Sequence, residues 1–341
     1  MSLADTERPL EDFRALAHVP LPDRSEALEA TAARESQLIK PPGALGRLEE
    51  IAAFLTAVTG KAPPAVEWPR IVVFASSHGV AAEGVSAYPS SVNAEMLKAF
   101  GAGKAAINQL CAAHGIGLSA FDLAVDVPSG NILVEDAFES DRALAATMAF
   151  GLEAIAGGVD LLGLGEMGIG NTTIAAALNL ALHGGDAAHW VGAGTGVAGE
   201  VYAKKVRVVE GAVARIEGER DPLTILMRLG GRDVAAMVGA ILAARTQGVP
   251  VVIDGYVATA AAGVVHAMAP EAISHCLFGH LSAEAGHPRA LKALGVEPLL
   301  DLKMRLGEGT GAALAMGIVK AAAACHAGMA TFAEAGIDGK A

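Results

Sequence analysis

The sequence predicts an α/β protein, with a Rossmann-like parallel sheet carrying helices on both faces and a small helical domain formed from both termini. Three observations carry that prediction. From residue 71 onward, short β-branched runs that are apolar at nearly every residue alternate with Gly-containing turns and helical stretches, as in a parallel sheet covered on both faces. Gly reaches 41 of 341 residues while charged residues stay at 18%, a balance suited to buried, tightly turned units. Hydrophobic residues make up 52%, so a chain of this length buries a sizeable core and disorder is excluded.

Taken in order, residues 28–38 and 45–59 repeat apolar side chains at three- and four-residue spacing, which predicts two helices separated by the breaker Lys40-Pro41-Pro42-Gly43. Strands are predicted at Ile71-Val72-Val73-Phe74-Ala75, at Val159-Asp160-Leu161-Leu162-Gly163-Leu164 and at Val249-Pro250-Val251-Val252-Ile253. Helices are predicted over 174–182 and 202–216, and the last 25 residues return to Ala-rich helix. With no internal repeat and no low-complexity linker, a second domain has to be assembled from the two ends. The expected division is a large α/β domain over 61–315 and a small helical domain from 1–60 with 316–341.

The charge balance, 25 Lys and Arg against 37 Asp and Glu, gives a formal net charge of -12, the wrong sign for nucleic acid. A small phosphate remains possible through backbone amides at a helix N-terminus. Mean hydropathy is +0.43, yet the apolar runs 234–244 and 312–319 end at Arg245 and Lys320, short of the roughly 18 residues a membrane span needs. The N-terminus, MSLADTERPLEDFRAL, carries acids where a signal peptide is basic and then apolar, so no membrane role and a cytoplasmic location are expected. Cys111, Cys276 and Cys325 form no C-x-x-C pair, and core thiols in a reducing compartment are the expectation.

Ligands of a parallel sheet sit outside the carboxyl ends of its strands. The strings there are Ser76-Ser77-His78-Gly79-Val80, the run from Gly165 to Thr173, and Asp254-Gly255-Tyr256. Gly163-Leu164-Gly165-Glu166-Met167-Gly168 and Gly194-Thr195-Gly196-Val197-Ala198-Gly199 both match G-x-G-x-x-G, but a chain this rich in glycine yields about 0.6 such matches by chance. Neither is followed by the ribose-binding acid some 20 residues on, which disfavours a dinucleotide. Asn171-Thr172-Thr173 opens a helix and fits either a phosphate cradle or a turn that merely packs helix on sheet. Glu308, framed by Gly307 and Gly309, fits either a general base whose partial burial raises its pKa or an acid capping the helix that follows. His275, His280, Glu284 and His287 lack metal-ligand spacing, so no metal is expected. Serine hydrolase, P-loop and diphosphate-sugar transferase patterns are absent.

Several longer strings occur in a fixed order: Lys40-Pro41-Pro42-Gly43-Ala44-Leu45-Gly46-Arg47-Leu48-Glu49, His78-Gly79-Val80, Glu83-Gly84-Val85-Ser86-Ala87-Tyr88-Pro89, Gly165 to Thr173, Ser282-Ala283-Glu284 and Met304 to Ala313. Together, from about residue 35 to about 337, the chain resembles the nicotinate-nucleotide:dimethylbenzimidazole phosphoribosyltransferase family. The resemblance implies transfer of phosphoribose from nicotinate mononucleotide to 5,6-dimethylbenzimidazole, giving α-ribazole 5'-phosphate for the lower ligand of cobalamin. It also implies a homodimer, no metal and no cofactor. Glu308 falls on the family's catalytic glutamate. Tyr88, Met96 and Leu306 fall on the benzimidazole pocket, and Glu166, Gly168, Gly170, Asn171, Thr172, Lys205, Ser282 and Gly286 fall on ribose- and phosphate-binding positions.

Two departures from the family pattern stand out. Ser77 replaces an Asp before His78-Gly79, and Glu135-Asp136-Ala137-Phe138-Glu139 replaces a Gly-Pro-Ala-Met-Thr string, which is expected to add acids beside the cleft. A non-catalytic nucleotide-binding protein and a transferase with another base acceptor are the competing readings. The glycine-framed Glu308 favours an enzyme.

Overall fold

The computed structural model describes residues 8–338. Three helices precede the sheet: α1 (Pro9–Ala17), α2 (Ser25–Glu35) and α3 (Arg47–Thr59). Strand β1 (Pro69–Ala75) leads through α4 (Val92–Gly101) and α5 (Ala106–His114) to β2 (Gly117–Asp122), and α6 (Asp141–Gly151) leads on to β3 (Leu161–Met167). Four helices follow, α7 (Asn171–His183), α8 (Gly199–Ala214), α9 (Pro222–Leu229) and α10 (Arg232–Gln247), before β4 (Val251–Ile253). Then α11 (Tyr256–Met268) leads to β5 (Cys276–His280), α12 (His287–Leu294) to β6 (Pro298–Leu300), and α13 (Thr310–Gly328) with α14 (Phe332–Ala335) completes the described chain.

The strands form one wholly parallel sheet in the order β2-β1-β3-β4-β5-β6, with helices on both faces, as the sequence predicts. Strand order reverses about β1, so the loops after β1 and β3 leave in opposite directions and open a crevice between them. Side chains alternate between two cores. Val72, Phe74, Leu162, Leu164, Val251 and Ile253 point into the core under α6, α7, α10 and α11. Ile71, Val73, Leu161 and Val252 point to the other, under α3, α5 and α13. Burial on both faces explains why the strand runs are almost continuously apolar. Helix α10 is buried on every side from Asp233 to Arg245, which accounts for its lack of an apolar stripe.

The edge strands β2 and β6, and the internal strand β5, escaped the sequence reading. β2 is half exposed and alternates weakly, while β6 is three residues long and starts with a proline, whose missing N–H is tolerated at an edge. The helix predicted over 202–216 begins three residues earlier, because Gly199 takes a positive φ of 58° and turns the chain into it.

The chain ends meet. Ile39 N–H donates to Ala330 O at 3.1 Å, Phe332 N–H to Gln37 O at 2.9 Å, and the Arg34 guanidinium to the carbonyls of His326, Ala327 and Met329 at 2.8–3.0 Å. Helix α1 packs instead on α6 and α10, with Phe13 fully buried and Arg14 paired to Asp221. The opening acidic stretch lies outside the described residues as far as residue 7, as do 339–341. Lys320 does not end its apolar run: α13 continues to Gly328 and is long and apolar enough to cross a membrane by length and composition. Half of it is buried against the sheet, α3 and α5, and Lys320 donates to the His114 carbonyl at 2.5 Å. Of the thiols expected in the core, only Cys111 is fully buried; Cys276 and Cys325 are partly exposed.

One contact fixes the site. Gly163 and Gly165 of the first glycine motif lie within β3 itself and leave the strand backbone bare where α13 and its leading turn press on it, while Gly168 follows the strand and packs against His78. A Cβ at Gly163 would lie 2.2 Å from Ile71, and one at Gly165 only 2.3 Å from the Gly309 nitrogen and 2.5 Å from the Glu308 carbonyl carbon. Backbone cannot yield as a side chain tip can. Gly165→Ala is therefore expected to cost about 2 kcal/mol or more, read as a lowered urea midpoint at unchanged m. A midpoint matching the parent's would show that the turn does not rest on β3.

Candidate active site

Beyond the carboxyl ends of β1, β3, β4 and β5 lies a cavity of about 490 Å³. Ten of the twelve residues expected from the sequence line it: Tyr88, Met96, Glu166, Gly168, Gly170, Asn171, Thr172, Ser282, Leu306 and Glu308. Tyr88 and Leu306 form an open rim at 56% and 58% exposure, with Met96 of α4 below them. Lys205 and Gly286 stand behind the wall. Lys205 is fully buried, and Gly286 supports Trp190 and Tyr256, where a Cβ would lie 2.5 Å from the Trp190 carbonyl.

Glu308 sits in the turn before α13, with a φ of 62° that side chains rarely adopt. Its N–H donates to the Glu166 carbonyl at 3.2 Å, and the Thr310 N–H and hydroxyl both donate to Gly307 O, at 3.0 and 2.8 Å. Asp254, directly after β4, accepts from Gly309 N–H at 3.2 Å and Ala312 N–H at 2.8 Å. The carboxylate thus caps α13, the role the sequence left open for Glu308. One Glu308 oxygen, Oε2, is buried without a hydrogen-bond partner.

Three carboxyls cluster here. Burial raises Glu308 to about 7, with the neighbouring Asp254 adding to it. Burial also pushes Asp254 to about 7, against the backbone N–H groups that favour its charged form. Glu166 is raised well above the carboxylate range by burial and by the charges of Asp233, Asp254 and Glu308, while a donor bond from Asn171 Nδ2 opposes the shift. Asp254 has fixed donors, so we assign the first shared proton to Glu166 and leave Glu308 to titrate near neutrality.

The opposite wall begins at α7. Gly170 caps it with a φ of 97°, and Asn171, which the sequence marked as a helix starter, is already in the helix and turned back to Glu166. Lys205 Nζ donates to Thr172 Oγ1 at 2.8 Å and to Gly192 O at 3.1 Å, and burial lowers it to about 8. Ser282 N–H donates to His287 Nδ1 at 2.8 Å, so the ring proton is on Nε2, 2.9 Å from Thr259 Oγ1. Burial and His280 push His287 down to about 3, which keeps it neutral. The loops interlock as well: Arg305 Nη1 donates to Gly194 O at 2.6 Å, and Ala87 N–H to Thr195 Oγ1 at 2.9 Å, which holds the Tyr88 segment in place.

The replacement segment is not beside the cleft. Asp136 pairs with Arg215 at 2.8 Å and Arg228 at 3.1 Å, and Ala137 and Phe138 N–H bond the carbonyls of Arg228 and Met227, so 135–139 packs on α8 and α9. Ser77 donates to Val125 O at 2.6 Å and accepts from Asn93 Nδ2 at 2.7 Å, while Asn93 Oδ1 accepts from Ile169 N–H at 3.0 Å. This chain fastens α4 to the β3 loop. Of the histidine cluster, His275 stands apart, bonding Ile241 O at 2.9 Å, while the His280 and His287 rings lie 6.3 Å apart and His287 N–H donates to Glu284 O at 3.0 Å; no group of three metal-ligand side chains occurs among the described residues. Sequence reasoning weighed His280 and Glu284 only as metal ligands, placed Asp254 in a strand-end string without a role of its own, and gave none to Arg305. The signal for Asp254 was its place as the single acid directly after an apolar strand.

Glu308 holds more protons folded than unfolded between about pH 4.5 and 7, so its contribution to stability falls as pH rises through that window and is lost above it. Glu308→Gln should therefore raise Tm by about 2 °C at pH 8 and change it little at pH 5. A thermal scan showing the same gap at both pH values would contradict the raised pKa.

A family model described as phosphoribosyltransferase, DBI_PRT, matches residues 20–337. Proteins named nicotinate-nucleotide--dimethylbenzimidazole phosphoribosyltransferase from Sinorhizobium medicae (strain WSM419) and Rhizobium meliloti (strain 1021) are each 62% identical over 334 residues, covering 97% of this chain and 98% of theirs. The crystal structure of CobT from Thermus thermophilus superposes with a TM-score of 0.86 at 41% identity, over 92% of this chain and all of that one. With a sequence and a fold that agree along nearly the whole chain, this protein belongs to the DBI_PRT family of phosphoribosyltransferases.

Proposed function

We propose that the protein transfers the phosphoribosyl group of nicotinate mononucleotide to 5,6-dimethylbenzimidazole, giving α-ribazole 5'-phosphate and nicotinate for the nucleotide loop of cobalamin. The observation that carries this reading is Glu308, fixed in the cavity wall with one unpartnered oxygen and raised to about 7. A carboxylate at that pKa accepts a proton at neutral pH. It takes the N–H proton of the benzimidazole while the other ring nitrogen attacks the anomeric carbon. The bond from that carbon to the pyridinium nitrogen breaks, and its electron pair neutralises the ring, so the leaving group needs no acid. Attack from the opposite face inverts the β-nucleotide to the α-product. What remains for the site is to hold two rings and one phosphate in line.

In this reading Tyr88, Met96 and Leu306 hold the benzimidazole. Glu166, Gly168, Gly170, Asn171, Thr172 and Ser282 surround ribose and phosphate, with Lys205 supplying positive charge through the wall at Thr172 and Gly286 supporting the far side. No metal or cofactor takes part. We place the catalytic division at about 61–315 and the helical part in the described residues on either side of it, with α1 packed on the former and α13 running from one into the other; we further propose a cytoplasmic protein whose active form is a homodimer, and sedimentation tests the oligomeric state.

Incubation with nicotinate mononucleotide and 5,6-dimethylbenzimidazole, without added metal, should yield α-ribazole phosphate and nicotinate by mass-resolved chromatography. No product with nucleotide binding intact would point to another acceptor. Glu308→Ala should lower kcat at least about 100-fold while nucleotide binding stays within a few-fold, and an unchanged kcat would remove the base assignment. Lys205→Ala should mainly raise the nucleotide KM, by about tenfold; an unchanged KM would remove Lys205 from the phosphate site.

A further inference from the structure

We propose that Asp254 is a positioning residue for this reaction, a clamp that holds the 307–312 turn on the bare backbone of β3 and so fixes the Glu308 carboxylate at the cavity wall. The inference rests on the reading of Glu308 as the base. Asp254 is 2% exposed and stands at the carboxyl end of the central strand β4. Its Oδ2 takes the N–H of Gly309, directly after Glu308, and its Oδ1 takes the N–H of Ala312, one helical turn into α13. The Glu308 carboxylate is therefore held through its own backbone, between the Asp254 clamp on one side and the Glu166 carbonyl on the other. Among the described residues no other charged group binds those two amides, and the positive φ at Glu308 would relax once they were released.

The residue also sets the charge that Glu308 feels. The titratable groups facing Asp254 are Glu308 on the turn, Glu166 of β3, and His280 of β5, whose Nε2 is 3.8 Å from Oδ1; Asp233 of α10 acts on the same cluster through Glu166. Burial lowers His280, so it supplies little compensating positive charge near neutral pH. Replacing Asp254 by a neutral residue thus removes one negative neighbour of Glu308 and lets its carboxyl ionise at lower pH.

The experiment compares the parent with Asp254→Asn, following α-ribazole phosphate formation from pH 5 to 9 with both substrates varied. The expected result is a fall in kcat of tenfold or more, KM values within about threefold, and an acid limb of kcat displaced to lower pH by at least about half a unit. A residue that only supports the fold would lower the amplitude and leave the limb in place, and that result overturns the proposal. Asp254→Ser, which keeps one acceptor oxygen, should displace the limb in the same direction. Independently of any variant, amide exchange of the parent should place Gly309 and Ala312 among its most protected amides; rapid exchange at both also overturns it. A parent that makes no product defeats the assigned activity instead, and the exchange result still decides the clamp.

Discussion

A turn of polypeptide laid directly on the bare backbone of a buried strand is the constraint on which the rest of this molecule depends. Gly163 and Gly165 strip β3 of side chains where the turn arrives, and Asp254 binds the amides that the turn presents. Any Cβ at position 165 would displace the turn, and with it the carboxylate at 308. Packing, hydrogen bonding and side-chain placement are here one interaction. Sheet order makes the site possible, because reversal about β1 opens the crevice into which the turn projects Glu308.

Electrostatics follows from the same geometry. Glu166, Asp254 and Glu308 are brought together in a buried space with little positive charge at hand, so they share protons and titrate as a group. The arrangement opposes folding at high pH and supplies a base at neutral pH. Across the cavity, Lys205 is fully buried with its protons already directed to Thr172 and Gly192, which makes the α7 wall electropositive without exposing a flexible cation. A chain of net charge -12 can thus present an anion-binding wall locally, as backbone amides and one buried lysine require no basic surface.

The sheet was legible because its central strands are buried on both faces, and Ile71 to Ala75 can hardly be anything else. β2 and β6 were not, since an edge strand has one neighbour and less apolar pressure on its sequence, and neither was the internal β5, whose Cys-Leu-Phe-Gly-His run carries no β-branched residue. Glu308 was visible because glycines on both sides are unusual around an acid. Asp254 was overlooked because a single aspartate after a strand has no pattern of its own; its meaning lies in amides about 55 residues away. The glycine match at 163–168 was rightly discounted as a dinucleotide signature, but a local pattern could not show that Gly163 and Gly165 make room for α13 and its leading turn, far along the sequence. The segment 135–139 was read as lining the cleft, and the arginines that draw it onto α8 and α9 lie far along the sequence.

The central claim is that fold geometry holds Glu308 as a base poised near neutrality. Infrared difference spectroscopy of the carboxyl stretch, parent minus Glu308→Gln, across pH 4 to 9 tests it most directly. A protonated-carboxyl band lost on titration near pH 7 is the predicted result; a band already gone by pH 5 would contradict the account.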